Sequence, residues 1–228
     1  MSINRKLLVE EFIFLFLVIA LLLFLAAGTL AWPTGWAFLI LFFGSLASLV
    51  LWLSRHNPAL LKERMALSHL GQKAWDKVLY LLLYVFFIPW LILMPLDAVR
   101  FHWSLVPLWL QIAGVLLLLC SFYIFYRTFR ENSYLSPVVR IQEDRGQTVI
   151  STGPYQYVRH PMYSAILFFF IPGTALLLGS WYGLLWGLLF IILFGWRAVL
   201  EERTLRDELQ GYAAYMTQVK YRLVPYVW

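Results

Sequence analysis

The 228-residue chain is far more apolar than a soluble protein, with 62% hydrophobic residues, 13% charged residues and a mean hydropathy of +0.74. This composition excludes an ordinary soluble domain and indicates an integral membrane protein. The formal net charge of +6 is compatible with a nucleic-acid partner, but the basic residues fall in short loops rather than in one stripe with stacking aromatic residues. We therefore expect membrane lipids, and no nucleic acid, as partners.

Six apolar segments are long enough to cross a bilayer, because a helix needs about 20 apolar residues to span a hydrocarbon core of about 30 Å. They are residues 11–31, 36–54, 78–96, 105–126, 162–178 and 181–200. Pro89 and Pro95 in the third segment, and Pro172-Gly173 in the fifth, predict kinked or shortened helices. The predicted fold class is an all-α integral membrane protein with about six transmembrane helices, a cytoplasmic loop cap and a C-terminal helix.

The lysine and arginine residues are distributed very unequally between the two sides of these segments. Seventeen fall on one side and only Arg100 falls on the other. Because short cytoplasmic loops are enriched in lysine and arginine, this count predicts a multi-pass protein of the cell (inner) membrane with both termini in the cytoplasm.

Two of the cytoplasmic segments have patterns of their own. In residues 56–77, Asn57-Pro58 precedes a stretch at 59–65 that fits either a charged connector or a short helix lying on the membrane. In residues 127–159, extended patterns at 138–142 and 148–150 flank a turn, which predicts a hairpin-like cap over the mouth of the helix bundle. A loop of this length in a compact protein is more often functional than not.

A polar block from Thr152 to Tyr163 stands directly before the fifth apolar segment. Gly153-Pro154 is a turn signal, and Pro161 suits the first position of a helix, where its missing N–H would be unbonded anyway. The block is therefore predicted to be a loop that enters a helix N-terminus. Free backbone N–H groups and the helix dipole favour an anionic group at such a place.

Two adjacent glutamates, Glu201 and Glu202, follow the last apolar segment, and Arg197 precedes Glu201 by one helical turn. The i, i+4 spacing places Arg197 and Glu201 on one helix face, where we expect an ion pair. Adjacent residues point about 100° apart on a helix, so the other glutamate is free to face a pocket or solvent.

The sequence lacks the motifs that several common kinds of active site require. The histidines at 56, 69, 102 and 160 are scattered and have no cysteine or second histidine at metal-ligand spacing, so no metal site is expected. The chain also lacks a nucleophile elbow, a phosphate-binding loop and a dinucleotide fingerprint. Covalent hydrolysis and nucleotide hydrolysis are therefore poorly supported.

The motifs of the C-terminal half, taken in order, resemble one family. They are Gly153-Pro154-Tyr155, Val158 to Tyr163, Arg197 with Glu201-Glu202, the pair Tyr212 and Tyr215, and the pair Arg222 and Pro225. Over roughly 130–228 this pattern resembles the isoprenylcysteine carboxyl methyltransferases and their phospholipid N-methyltransferase relatives. The resemblance implies an integral membrane methyltransferase that binds S-adenosylmethionine at the cytoplasmic ends of its last helices. It divides the chain into N-terminal transmembrane helices at 1–127 and a cofactor-binding core with two further membrane helices at 128–228.

The resemblance also implies the residues of the site. The implied cofactor-binding residues are Gly153, Tyr155, Tyr157, Val158, Arg159, His160, Pro161, Tyr163, Glu201, Glu202, Tyr212 and Tyr215. The residues implied in catalysis are Arg197, Arg222 and Glu201. The acceptor is expected to be a lipophilic small molecule or lipid carrying a carboxylate, amine or thiol. A carboxylate would need only an arginine to orient it, whereas an amine or thiol must lose a proton, for which His160 and the glutamates are available.

Two alternatives remain open at this point. One is a membrane reductase with a nicotinamide cofactor, and the other is a non-catalytic transporter or assembly protein. A transporter should show charges within the membrane or paired broken helices in two related halves. The apolar segments here are nearly free of charge and the two halves are unlike, which favours a site at the membrane surface.

Overall fold

The computed structural model describes residues 5–66 and 71–228, so the histidine at position 69 lies outside the described residues. Six helical segments are long and apolar enough to cross a membrane. They are α1 (Arg5–Ala27), α2 (Pro33–His56), α4 (Ala74–Pro95), α5 (Leu108–Glu131), the composite α6 (Pro161–Ala165) and α7 (Ile171–Leu178), and α8 (Trp181–Glu208). Two short helices, α3 (Pro58–Arg64) and α9 (Tyr212–Gln218), complete the set. Within the described ranges no strand is present, so the all-α membrane fold with six spans is confirmed.

Kinked or shortened helices were predicted near the prolines, and the structure has π-helical segments at two of these places. A π-helical segment at Leu96–Arg100 continues α4 directly after Pro95, and another at Ile166–Phe170 joins α6 to α7 just before Pro172. Proline has no N–H to donate within a helix, so the hydrogen-bond ladder must change at such places. Pro89, in contrast, is accommodated inside α4.

One apolar core connects the six spans. Fully buried side chains come from α1, α2, α4, α5 and α8, and they are Leu23, Phe38, Trp90, Leu118 and Phe190. The residues that face outward along the same helices are also apolar, as expected where the surrounding solvent is hydrocarbon.

Two glycines allow α5 and α7 to cross in close contact. A Cβ atom on Gly114 would lie 2.6 Å from the backbone nitrogen of Leu177, and one on Gly173 would lie 3.0 Å from the carbonyl oxygen of Gly114. Small residues at a membrane helix crossing permit this approach, which places α7, the C-terminal part of the composite span, beside α5.

The helical alternative for residues 59–65 is confirmed by α3. Asn57 caps this helix by accepting a hydrogen bond from the N–H of Leu60 at 3.1 Å, and its amide donates to Ser133 Oγ at 3.0 Å. Leu60 and Leu61 are buried, so α3 packs inward rather than lying free on a membrane surface.

The segment between α5 and α6 covers the bundle as predicted, but it is not a hairpin. The predicted turn is present at Glu143–Arg145, whereas neither flank forms a strand. The N–H of Val139 donates to Asp76 Oδ2 at 2.9 Å, and the buried amide of Gln142 donates to the carbonyl of Tyr134 at 2.6 Å. The hairpin prediction is wrong because side chains provide the hydrogen bonds that a second strand would have supplied.

The residues after α9, at 219–228, form a C-terminal tail that packs against the polar block before α6. The backbone N–H of Arg159 donates to the carbonyl of Tyr221, and the N–H of His160 donates to the carbonyl of Arg222, both at 2.9 Å. These bonds fix the tail to the start of the fifth span.

The tail then ends in a turn against α8. The carbonyl of Trp228 accepts from the N–H groups of Leu223 and Val224, at 2.9 and 3.0 Å. The indole of Trp228 lies against the backbone of Gly195, where an added Cβ would be 3.5 Å from the ring, while Tyr226 is exposed.

Candidate active site

The polar block forms a loop that enters a helix N-terminus, as the sequence predicts. Gly153 begins a short 3₁₀ turn with φ +57°, and a Cβ at this position would lie 2.4 Å from Cγ of Glu131. Thr152 Oγ1 donates to the carboxylate of Glu131 at 2.8 Å, so the α5 side chain fixes the beginning of the block. Pro161 begins α6.

Glu202 is held between two arginines. Its carboxylate accepts from Arg159 Nε at 2.6 Å and from Arg222 Nε at 2.7 Å. Arg159 Nη1 also donates to the carbonyls of Val219 and Lys220, at 2.7 and 2.8 Å. Glu202 and Arg159 are both buried. This network joins α8, the polar block and the C-terminal tail, and it uses three of the five N–H groups of Arg159.

His160 lies between the two glutamates. Its ring stacks on Tyr163 with centroids 5.2 Å apart and an interplanar angle of 3°. Nδ1 is 3.9 Å from Glu201 Oε2, and Nε2 is 3.3 Å from Glu202 Oε1. Nε2 is buried and lacks the alignment of a hydrogen bond, which leaves this imidazole nitrogen without a hydrogen-bond partner in the described structure.

Glu201 occupies a different environment from its neighbour. It accepts a hydrogen bond from the hydroxyl of Tyr163, and 23% of its side chain is exposed, against 3% for Glu202. The expectation that adjacent glutamates point in different directions is confirmed. Glu202 supports the structure of the tail, whereas Glu201 faces a cavity.

That cavity, hereafter the polar cavity, has a volume of about 100 Å³ and lies under the cap between α6, α8 and α9. Eight of the residues predicted from sequence line it, namely Tyr155, Arg159, His160, Pro161, Tyr163, Glu201, Tyr212 and Tyr215. The remaining predicted residues do not line it, and they are Gly153, Tyr157, Val158, Arg197, Glu202 and Arg222. Of these, Tyr157 is 67% exposed.

Three tyrosines form an aromatic wall of the polar cavity. Asn132 Nδ2 donates to the hydroxyl of Tyr155, and the hydroxyl of Tyr215 donates to the carbonyl of Tyr155, each at 2.8 Å. The hydroxyl of Tyr212 is buried without a partner among the described residues. Burial raises the pKa of all three phenols, so each keeps its proton at neutral pH and can donate a hydrogen bond.

The predicted ion pair between Arg197 and Glu201 is not formed. Arg197 Nε donates instead to Asp76 Oδ1 at 2.9 Å, and its Nη2 donates to the carbonyl of Pro137 at 2.8 Å. Asp76 is fully buried and also accepts from Gln72 Nε2 at 3.0 Å. The helical spacing allowed the pair, but packing of α4 on α8 brings a buried carboxylate closer, and a buried charge requires its partner.

Sequence reasoning missed Asp76 as a contributor to the site. A signal existed, because an acidic residue in the first turn of a membrane helix must find a partner near the membrane. Asn132 and the apolar cap residues Val149 and Ile150 also line the polar cavity. Nothing in their local pattern distinguishes them from ordinary loop residues.

A much larger apolar cavity lies on the other side of Met162. It has a volume of about 910 Å³ and is lined by side chains of α1 to α6 and α8, with Phe122 and Phe194 among them. A further space of about 250 Å³ shares Phe42, Tyr80 and other lining residues with it. Met162 lines both the polar cavity and the apolar cavity.

Most residues that line the polar cavity fall within a segment that matches a known protein family. Residues 109–210 match the phospholipid methyltransferase family. This family and the isoprenylcysteine carboxyl methyltransferases belong to one group of membrane methyltransferases, so the predicted resemblance is confirmed. The match includes the polar block and both glutamates but ends before α9. No curated protein matches the chain.

S-adenosylmethionine is the methyl donor that a methyltransferase generally implies, and the groups of the polar cavity suit its chemistry. The unpartnered His160 Nε2 and Tyr212 hydroxyl can bond polar atoms, Glu201 can accept from an ammonium or a ribose, and the tyrosine rings tolerate a cation. The cavity is smaller than the 300–1,000 Å³ or so typical of ligand pockets.

The described residues contain no group of three histidine, cysteine, aspartate or glutamate side chains placed to hold a metal ion.

Proposed function

We propose that this protein is a membrane methyltransferase that uses S-adenosylmethionine and transfers a methyl group to a lipophilic acceptor. The observation that carries the proposal is the position of Met162 between a polar cavity and an apolar cavity. Methyl transfer to a lipid needs two such adjoining spaces, one for a polar donor and one for an apolar acceptor. The family match over residues 109–210 supports the same reaction class.

On the donor side, the residues with free bonding capacity are the best candidates for binding. His160 and Tyr212 each have one buried polar atom without a partner, and Glu201 is directed into the polar cavity. Bound in this cavity, S-adenosylmethionine would supply an electrophilic methyl group. The rings of Tyr155, Tyr163 and Tyr212 would exclude water from it.

Arg159, Arg222 and Glu202 contribute differently in this proposal. Arg159 uses three of its five N–H groups, and Arg222 uses its Nε–H, in bonds to Glu202 and to the tail carbonyls. We assign them to holding the C-terminal tail against α8. Arg222 lines neither cavity and stacks instead on Trp228, with its Cζ 5.1 Å from the ring centroid.

On the acceptor side, Arg197 is the only residue of the predicted catalytic set that lines the apolar cavity within the described structure. Its bonds to Asp76 and Pro137 fix the guanidinium, which can orient an acceptor group. Holding both reactants in line can lower the barrier by about 7–11 kcal/mol without a covalent enzyme intermediate. An amine or thiol acceptor would require a base, for which His160 and Glu201 are placed at the donor side.

The proposal also covers the membrane topology of the protein and the roles of the two parts of the chain. The polar cavity opens on the side that carries nearly all lysines and arginines, so we assign it and both termini to the cytoplasm and the helices to the cell (inner) membrane. Residues 1–127 supply most of the apolar cavity, and residues 128–228 supply most of the polar cavity.

The proposal is tested by calorimetry on the full chain purified in a neutral detergent. S-adenosylmethionine is expected to bind, whereas NADPH in a parallel titration is expected to give no heat of binding. A folded sample that does not bind S-adenosylmethionine at millimolar concentration would overturn the proposal. Binding of NADPH instead would favour the reductase alternative.

A further inference from the structure

Arg64 is a cation on the apolar face of a short helix. It follows the buried Leu60 by four residues and the buried Leu61 by three, so all three lie on one side of α3. Arg64 lines the apolar cavity, whereas Lys62 points away and is exposed. Arg64 therefore places a positive charge at the wall of the apolar cavity.

The guanidinium of Arg64 is incompletely satisfied. Its Nη1 donates to the carbonyl of Leu135 at 2.9 Å, and its Cζ lies 4.8 Å from the ring centroid of Phe129. An arginine carries five N–H donors, and in the described part of the chain no carboxylate forms an ion pair with this one. Among the described residues, the partners of this charge are therefore a carbonyl dipole and an aromatic face.

The nearby acidic residues do not supply the missing charge. Glu63, the neighbour of Arg64 in α3, is bonded through both carboxylate oxygens to Arg140, at 3.0 and 2.9 Å. Glu11 also lines the apolar cavity, but it lies on the exposed surface of α1 and forms no ion pair with Arg64 in the described structure.

A second arginine lines the same cavity and adds to the positive charge. Arg197 has one carboxylate partner, Asp76, and donates only two hydrogen bonds in the described structure. The pKa of Arg64 is lowered to about 10, chiefly by burial; Tyr80 opposes this shift and the positive charge of Arg197 contributes to it. Two guanidinium groups that influence each other thus line one apolar cavity, and in the described structure only Arg197 is paired with a carboxylate, that of Asp76.

We propose that Arg64 and Arg197 form an anion-binding subsite that selects, among apolar ligands, those that carry a carboxylate or phosphate group. A cation in apolar surroundings is unfavourable unless an anion accompanies it, and in this proposal the ligand supplies that anion. The inference rests on the proposed function, because the selected ligand is the methyl acceptor or its product. It adds a specificity residue outside the region that matches the family.

Four amphiphiles with the same hexadecyl chain test the subsite. Binding of radiolabelled hexadecanoate to the full chain in neutral detergent is measured by scintillation proximity, without S-adenosylmethionine. Hexadecyl phosphate, hexadecanol and hexadecylamine serve as unlabelled competitors. We expect hexadecyl phosphate to compete within about tenfold of unlabelled hexadecanoate, and the alcohol and amine to compete at least about tenfold more weakly, since a charged hydrogen bond is worth about that factor. The preferred anion then distinguishes a carboxylate ligand from a phosphate ligand.

Substitution of Arg64 tests whether the preference for anionic chains comes from Arg64 or from the apolar cavity as a whole. Arg64→Gln should remove the preference for the anionic chains while hexadecanol competes as before, and Lys62→Gln on the exposed face of α3 should change neither. Arg64→Lys should retain part of the preference. Equal competition by all four chains in the unmodified protein would overturn the inference, as would an unchanged preference in Arg64→Gln. Because the assay omits the methyl donor, its failure is distinguishable from a failure to bind S-adenosylmethionine.

Discussion

Asp76 on α4 and Arg197 on α8 form a buried ion pair that contacts the walls of both cavities. Asp76 Oδ1 accepts from Arg197, which lines the apolar cavity, and Oδ2 accepts from the N–H of Val139, which lines the polar cavity, each at 2.9 Å. A single carboxylate thus fixes the cap and the acceptor-side arginine relative to one another.

Asp76→Asn should lower the free energy of unfolding by about 3–5 kcal/mol, because it leaves the charge of Arg197 buried without a counterion. Unfolding is measured by titration with sodium dodecyl sulfate in mixed micelles. The double variant Asp76→Asn, Arg197→Gln should lose less than the sum of the two single changes. Additive losses would show that the pair is not coupled. Asp207→Asn, an exposed acid on the same α8, should shift the value by less than about 0.5 kcal/mol.

The two adjacent glutamates should respond differently to neutralisation. Glu202→Gln leaves Arg159 and Arg222 without their shared anion, so it should destabilise the protein by about 3–5 kcal/mol. Glu201→Gln should instead weaken S-adenosylmethionine binding with a much smaller loss of stability, because its carboxylate is directed into the polar cavity. Unfolding titrations and calorimetry on both variants measure the two effects. Equal losses of stability and of S-adenosylmethionine affinity in the two variants would contradict the different environments of Glu201 and Glu202.

His160→Ala should weaken S-adenosylmethionine binding by about tenfold or more, since it removes an imidazole that lines the polar cavity and stacks on Tyr163. Calorimetry in detergent measures the affinity, and an unfolding titration confirms that the variant is folded. Asp207→Ala serves as a surface control. Unchanged affinity in both His160→Ala and Glu201→Ala would place the cofactor elsewhere.

Gly153→Ala and Gly146→Ala form a matched pair of substitutions at positive φ. Both glycines have similar backbone angles, +57° and +62°, but only the Gly153 position has a side chain in the way, with Glu131 Cγ 2.4 Å from the added Cβ. Each change should cost about 1 kcal/mol or more for the strained backbone. Gly153→Ala should cost more and should also reduce cofactor affinity by displacing the polar block. A loss that is equal in both variants would exclude a role for the contact with Glu131.

The transmembrane helices were predictable because the bilayer imposes a local requirement. Each span must be apolar over its whole length and must satisfy its backbone hydrogen bonds internally, so residues 36–54 predict α2 (Pro33–His56) without knowledge of its neighbours. The cap was not predictable in the same way. Val139 and Gln142 have a strand-like pattern, but their hydrogen bonds go to Asp76 and Tyr134, which local sequence does not reveal.

Within the site, the loop from Gly153 to Pro161 also has features that follow from local sequence and features that depend on distant contacts. Its turn and its helix start follow from glycine and proline chemistry, and the sequence by itself determined that a polar block with Arg159 and His160 stands before the fifth span. Only the tertiary structure decided how these charges are used. A buried charge pairs with the opposite charge that packing brings nearest, and Arg197 finds its partner 121 residues away in Asp76 rather than one helical turn away in Glu201.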